Sequence, residues 1–208
     1  MGEFRDYLNM VSEMSIAGYG DWEPSAEMLV TMSVFVLHKK WAFVNKIKIK
    51  TLEYSIYKLK DEYIMGNIIT SSTGEQQFEI DLKIKLMEHK STANDLNIHK
   101  RLMNVDGVKV NESVQGLGLA TAMYSYLVKH EKMVILGDEI QYFGARRLWA
   151  KLSMKLDLTV DIVDVSKGIY LERDVLIHHG LEDWEFDDRV WDYTTSKKDI
   201  RLILKEIK

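Results

Sequence analysis

The stretch Phe78-Glu79-Ile80-Asp81-Leu82-Lys83-Ile84-Lys85-Leu86 alternates apolar and charged side chains without a break. No other feature constrains the fold as tightly. A two-residue period puts every apolar side chain on one face of an extended segment and every charge on the other. The stretch therefore reads as a strand with one packed face and one wet face. Two strand-like runs precede it, Tyr54–Leu59 and Tyr63–Thr70, parted by Lys60-Asp61-Glu62 as a hairpin turn, and Ser71–Gly74 forms a polar turn. Strand character starts near residue 47, where Ile47 and Ile49 alternate with lysines.

Residues 1–45 read mainly as helix. Phe4, Tyr7, Leu8 and Val11 fall at helical spacing, and Gly18-Tyr19-Gly20 interrupts the pattern. Pro24-Ser25 opens a second helix through Met28, Val30, Phe35 and Trp41. Beyond the meander, Asp95–Met103 is a short helix or loop, and Val105–Val110 returns to strand. A helix then spans about 118–130, a buried strand Met133–Leu136, and a helix Gln141–Lys155. Strands follow at Leu158–Val165, Gly168–Ile177 and Ile200–Ile207. This order predicts an α/β (α+β) chain with a largely antiparallel central sheet flanked by helices. Pro24 is the only proline and no Gly- or Ser-rich linker occurs, so one compact domain is expected. It would comprise an N-terminal helical region (1–45), a core (47–177) and an extension (178–208).

Composition excludes several functions. The chain has no cysteine, which removes disulfides, thiolate zinc sites and cysteine nucleophiles and fits a reducing cytoplasm. A formal charge of −4 without a basic tail argues against nucleic acid. The most apolar early stretch, Met28–Leu37, is too short to span a membrane and contains Thr31 and Ser33. No secretory signal is expected, and Asp6 stands where a myristoylation site needs Ser or Thr. His178-His179 lacks a second ligand pair at metal-binding spacing, so no metal is expected.

The chemistry-bearing segment is Val108-Lys109-Val110-Asn111-Glu112-Ser113-Val114-Gln115-Gly116-Leu117-Gly118-Leu119-Ala120. A strand runs into a glycine turn, and a helix with Leu119, Met123, Tyr126 and Leu127 on its apolar face follows. Gly116 and Gly118 let backbone approach a ligand without Cβ atoms in the way. The first N–H groups of the helix lie at the positive end of its dipole and suit a pyrophosphate. No Lys-Ser or Lys-Thr follows the glycines, as a P-loop requires. The preceding strands form a meander and not the opening βαβ unit of a dinucleotide fold.

Gln115-Gly116-Leu117-Gly118-Leu119-Ala120 resembles the Gln/Arg-x-x-Gly-x-Gly/Ala signature of the GNAT N-acetyltransferase superfamily. The resemblance covers roughly residues 47–177 and implies a GNAT-type fold. It also implies acetyl-CoA as co-substrate, bound by Val110, Gln115, Gly116, Leu117, Gly118, Leu119 and Ala120. The expected activity is acyl transfer to an amine on a small molecule or protein, and a homodimer is compatible with the family. Tyr142-Phe143-Gly144-Ala145-Arg146-Arg147-Leu148-Trp149 resembles the family's second motif less closely. Tyr142 replaces its Asn, and Trp149 replaces the tyrosine that often protonates the leaving thiolate. An indole N–H is hardly acidic. Gly137-Asp138-Glu139-Ile140-Gln141 with Leu148-Trp149-Ala150-Lys151-Leu152 is similar to phage-encoded acetyltransferase-like proteins.

Three residues are candidates for the acid–base steps of such a transfer: Glu112 before the loop, Asp138 after the fifth strand of the family pattern, and Tyr142. Glu112 as base requires partial burial to raise its pKa, and otherwise is a turn glutamate. Asp138 has a helix cap as its alternative role, and Tyr142 a packing role. Arg147, Lys151 and Lys155 recur every four residues on one helix face; Arg147 either meets the CoA 3′-phosphate or belongs to a solvated basic face. The tail Glu182–Asp192 interleaves acids with Trp184, Phe186 and Trp191 and suits a cationic partner or plain solvation. Two readings stay open: an active N-acyltransferase, or an inactive relative that works through protein–protein binding or within an assembly.

Overall fold

The computed structural model describes residues 31–138, 143–176 and 199–207. They contain ten strands and four helices, with 48% of residues in strands and 24% helical. This corrects the expected GNAT-type sheet flanked by helices behind an N-terminal helical region. Strand outweighs helix two to one, and from residue 31 the expected long helix gives way to sheet. β1 (Thr31–Ser33) pairs with a later strand, α1 (Val34–Lys40) lasts two turns, and β2 (Ala42–Ile49) has already begun at residue 42. The reason is local. Ala42-Phe43-Val44 and Ile47-Lys48-Ile49 carry β-branched and aromatic side chains that fit a pleated, half-buried surface. A two-turn helix adds little propagation energy to resist that pull. Residues 1–30 and the tail Glu182–Asp192 lie outside the described residues.

The chain divides into two compact units. One holds residues 31–86 and 106–122 of those described. Its antiparallel strands run in the order β2, β3 (Leu52–Leu59), β4 (Glu62–Thr70), β5 (Gln76–Glu88), with the later half of β6 (Leu102–Val110) beside β5. β1 also pairs with β5, aligning Met32 with Phe78. The turn at Lys60 takes a left-handed φ of 55°, as a tight hairpin between β3 and β4 demands. Ser33 caps α1 by accepting the Val36 N–H at 3.3 Å. Leu37 and Trp41 then close a core with Tyr57, Ile64, Phe78 and Ile80, in which Tyr57 and Phe78 meet edge to face at 5.1 Å.

Met65 pairs with Leu82 and Gly66 with Ile80, so Asp81 is the extra residue of a β-bulge. Gly66 sits against the bulge so closely that an added Cβ would lie 1.8 Å from the Glu79 carbonyl oxygen.

The other unit holds residues 87–105, 123–138, 143–176 and 199–207 of those described. Its strand order is the first half of β6, β7 (Val134–Leu136), β10 (Ile200–Glu206), β8 (Leu158–Asp164) and β9 (Ile169–Glu172). β6 and β7 run parallel over Leu102–Asn104 and Val134–Leu136, and β10 lies antiparallel to both β7 and β8. α2 (Lys90–Asp95) ends a core in which Ala93 and Leu96 pack with Leu102, Val134, Leu136, Val163 and Ile203. α4 (Phe143–Ser153) buries Leu148, Trp149, Ala150 and Leu152 and leaves Arg147 and Lys151 exposed, as the four-residue spacing requires.

Candidate functional site

The glycine loop belongs to the unit built on β2–β5. Strand β6 ends at Val110, which is half-buried. Asn111 then turns the chain: its Oδ1 accepts the Ser113 N–H at 3.2 Å and the Ser113 hydroxyl at 3.1 Å, an Asx-type device that starts a turn. A single 3-10 turn, Glu112–Val114, follows, with the Gln115 N–H donating to the Glu112 carbonyl at 3.3 Å. Gly116 and Gly118 both adopt left-handed φ, 77° and 97°, conformations that a Cβ penalises by about 1–2 kcal/mol each. A Cβ at either position would meet nothing within 4 Å. The glycines are therefore needed for backbone shape, and the space beside them is open.

α3 (Leu119–Lys129) starts directly after Gly118, whose carbonyl accepts the Ala122 N–H at 3.0 Å. Its first turn carries no acidic side chain, so the positive end of the dipole is not offset from within the helix. Leu119 is buried and anchors that end, while Gln115 is exposed and Leu117 and Ala120 are half-buried. A strand, a glycine turn and a helix start without acids in its first turn together can present backbone N–H groups to a phosphate.

The sequence candidates separate. Glu112 shares the loop's unit but is exposed on the 3-10 turn. Asp138 and Arg147 belong to the other unit. Asp138 is half-buried after β7, and its charge adds to the burial that pushes the Tyr124 phenol up, so that Tyr124 stays protonated at any ordinary pH. Tyr124 meets Trp149 edge to face at 6.3 Å. Trp149 is 2% exposed and serves the core. Arg147 is exposed on α4. Tyr142 lies outside the described residues. In the same unit Arg201 of β10 is buried, its Nη1 donating to Asn104 Oδ1 at 3.3 Å and to the Gly137 carbonyl at 3.5 Å.

Sequence reasoning missed Asp81. Strict alternation assigns it to the wet face of β5, yet it is 4% exposed. Its backbone carbonyl accepts the Asn111 N–H at 2.8 Å, which ties it to the residue that opens the glycine turn. Burial, with the like charge of Glu79 beside it, raises its pKa to about 6. Gly66 was the available signal, since a lone glycine inside a strand often marks a bulge on its partner.

Among the described residues, no helix is long and apolar enough to cross a membrane. Comparison with protein-family models, with curated proteins and with solved structures finds no match for the chain.

Proposed function

We propose that this protein is an acyl-CoA-dependent N-acyltransferase, transferring an acetyl group from acetyl-CoA to an amine by direct attack in a ternary complex. The observation that carries the reading is the pair of left-handed glycines between β6 and an α3 that lacks acids in its first turn. Backbone N–H groups there would hold the pyrophosphate, and Gln115–Ala120 would cradle it with Val110 at the strand end. The resemblance of these six residues to the GNAT signature supports the same assignment. A cysteine-free chain fits a cytoplasmic setting, and the acceptor would be an amine on a small molecule or a protein.

A second reading has a specific observation behind it. Trp149 stands where the family's proton-donating tyrosine is expected and is spent on core packing. A binding protein without transferase activity would tolerate that exchange. Titration calorimetry with acetyl-CoA tests the cofactor reading, with Gly118→Arg filling the open space and Ala120→Glu placing a repelling charge at the helix start. Ala120→Glu keeps a good helix former in a position where acids favour the helix, and an unchanged Tm separates its loss of binding from misfolding. Micromolar binding lost in both variants supports the proposal. Absence of binding at millimolar acetyl-CoA removes it and favours the second reading.

A further inference from the structure

We infer that Asp81 is the acceptor-amine anchor of this acyl-transfer site: its carboxylate seats a primary ammonium and takes a proton from it before the nitrogen attacks the thioester. The inference rests on the acyltransferase reading above and adds to it the class of acceptor and the group that receives its proton.

The buried aspartates of the described residues make the case by contrast. Asp161, fully buried, is ion-paired with Lys205 and also accepts the Asp174 N–H at 3.0 Å. Asp164 pairs with Lys167 at 2.9 Å and accepts from the Ser166 hydroxyl at 2.7 Å. Both obey the rule that a buried charge is paired. Asp81 does not: among the described residues its carboxylate has no hydrogen-bond or ion-pair partner. The nearest lysines along β5 are committed elsewhere, Lys83 to Glu62 at 2.9 Å and Lys85 to Asp106 at 2.6 Å. The charged and titratable groups that face Asp81 are Glu79 on its own strand and the Tyr54 phenol from β3. Neither is a cation. Among the described residues, the carboxylate oxygens do not count among the sealed, unpartnered polar atoms.

Position supports the same role. Asp81 is held at a bulge, a backbone feature that re-aims a side chain and often lies beside an active site. Its main chain is bonded to Asn111, four residues before Gln115. A primary ammonium would give this carboxylate the cation that Asp161 and Asp164 have from lysines, together with N–H groups it can accept.

The step balances without an added reagent. The ammonium gives one proton to the Asp81 carboxylate, and the freed lone pair forms the C–N bond at the thioester carbonyl carbon. The C–S bond breaks with its electron pair on sulfur, and the thiolate takes up the second nitrogen proton to leave as CoA thiol. Asp81 returns its proton to water. Overall, an ammonium and acetyl-CoA give an amide, CoA thiol and one proton. A carboxyl that ionises near pH 6 is charged and able to act as base throughout the neutral range.

The test uses full-length protein with carboxyl-13C aspartate, in which Asp81→Asn identifies the Asp81 resonance. The probe is n-butylammonium, with n-butanol as neutral control, and acetyl-CoA binding is measured in parallel on wild type, Asp81→Asn and Ala120→Glu. The expected result is a resonance titrating near pH 6 whose midpoint moves down with butylammonium and ignores butanol. Asp81→Asn would bind acetyl-CoA as wild type does and lose the butylammonium response. An Asp81 resonance indifferent to butylammonium, in protein that binds acetyl-CoA, overturns the inference and leaves the acyltransferase reading standing. Acetyl-CoA failing to bind the wild type overturns both.

Discussion

Replacing Asp81 by Asn should stabilise the protein at neutral and alkaline pH and leave it unchanged in acid. The folded state raises this carboxyl from 3.8 to about 6, so it holds the proton more tightly than the unfolded chain does. Below about pH 4 the group is neutral in both states and costs nothing. As pH rises from about 4 to 6 the unfolded chain ionises first, and a penalty on folding builds up that is complete above pH 6. The gap corresponds to about 3 kcal/mol at full weight. Because the oxygens keep contact with solvent, screening lowers this to about 2 kcal/mol. An uncharged amide of the same shape avoids the penalty. For a chain of this size the gain is a rise of about 4–8 °C in Tm near pH 8 and none near pH 4. Thermal unfolding of both proteins across that range is the assay. A difference between them that does not change with pH would refute the reasoning, since a pH-independent effect cannot come from ionisation of Asp81. Stability given up at one buried acid is also what a binding site would show.

Other perturbations have equally definite outcomes. Gly66→Ala forces a Cβ into the Glu79 carbonyl and should cost about 2–3 kcal/mol in urea unfolding, because backbone must shift to relieve it. Lys205→Met leaves Asp161 buried without its cation and should cost about 3 kcal/mol at neutral pH; an unchanged urea midpoint would show that the pair contributes nothing. Asp164 is held at about 2, first by hydrogen bonding to Lys167 and Ser166. Its stabilisation is therefore present above about pH 4 and fades as pH falls toward 2. Asp164→Asn should narrow the gap in Tm between neutral and acid conditions.

Much of the sheet was legible because it depends on local pattern. The alternation of Phe78–Leu86 is the heart of β5, and the turn between the two runs before it is the β3–β4 hairpin. Gly116 and Gly118 mark a glycine turn in the sequence, while the left-handed φ values that require glycine there show only in three dimensions. The balance of strand to helix was not legible. Helical spacing at Met28, Val30, Phe35 and Trp41 says nothing of the ladder that draws Thr31–Ser33 onto β5, and a tertiary partner overrides local propensity. The place of β10 between β7 and β8 is likewise a choice made in three dimensions. At the site, spacing alone marked Glu112, which is exposed, and hid Asp81, because one extra residue in a strand changes where a side chain goes.

The most direct test of the central claim is titration of acetyl-CoA into the purified full-length protein by calorimetry, alongside Ala120→Glu and Gly118→Arg. Micromolar binding to the wild type and its loss in both variants are the expected result. Binding that survives Ala120→Glu would move the ligand away from the start of α3, and no heat at millimolar acetyl-CoA would contradict the claim outright.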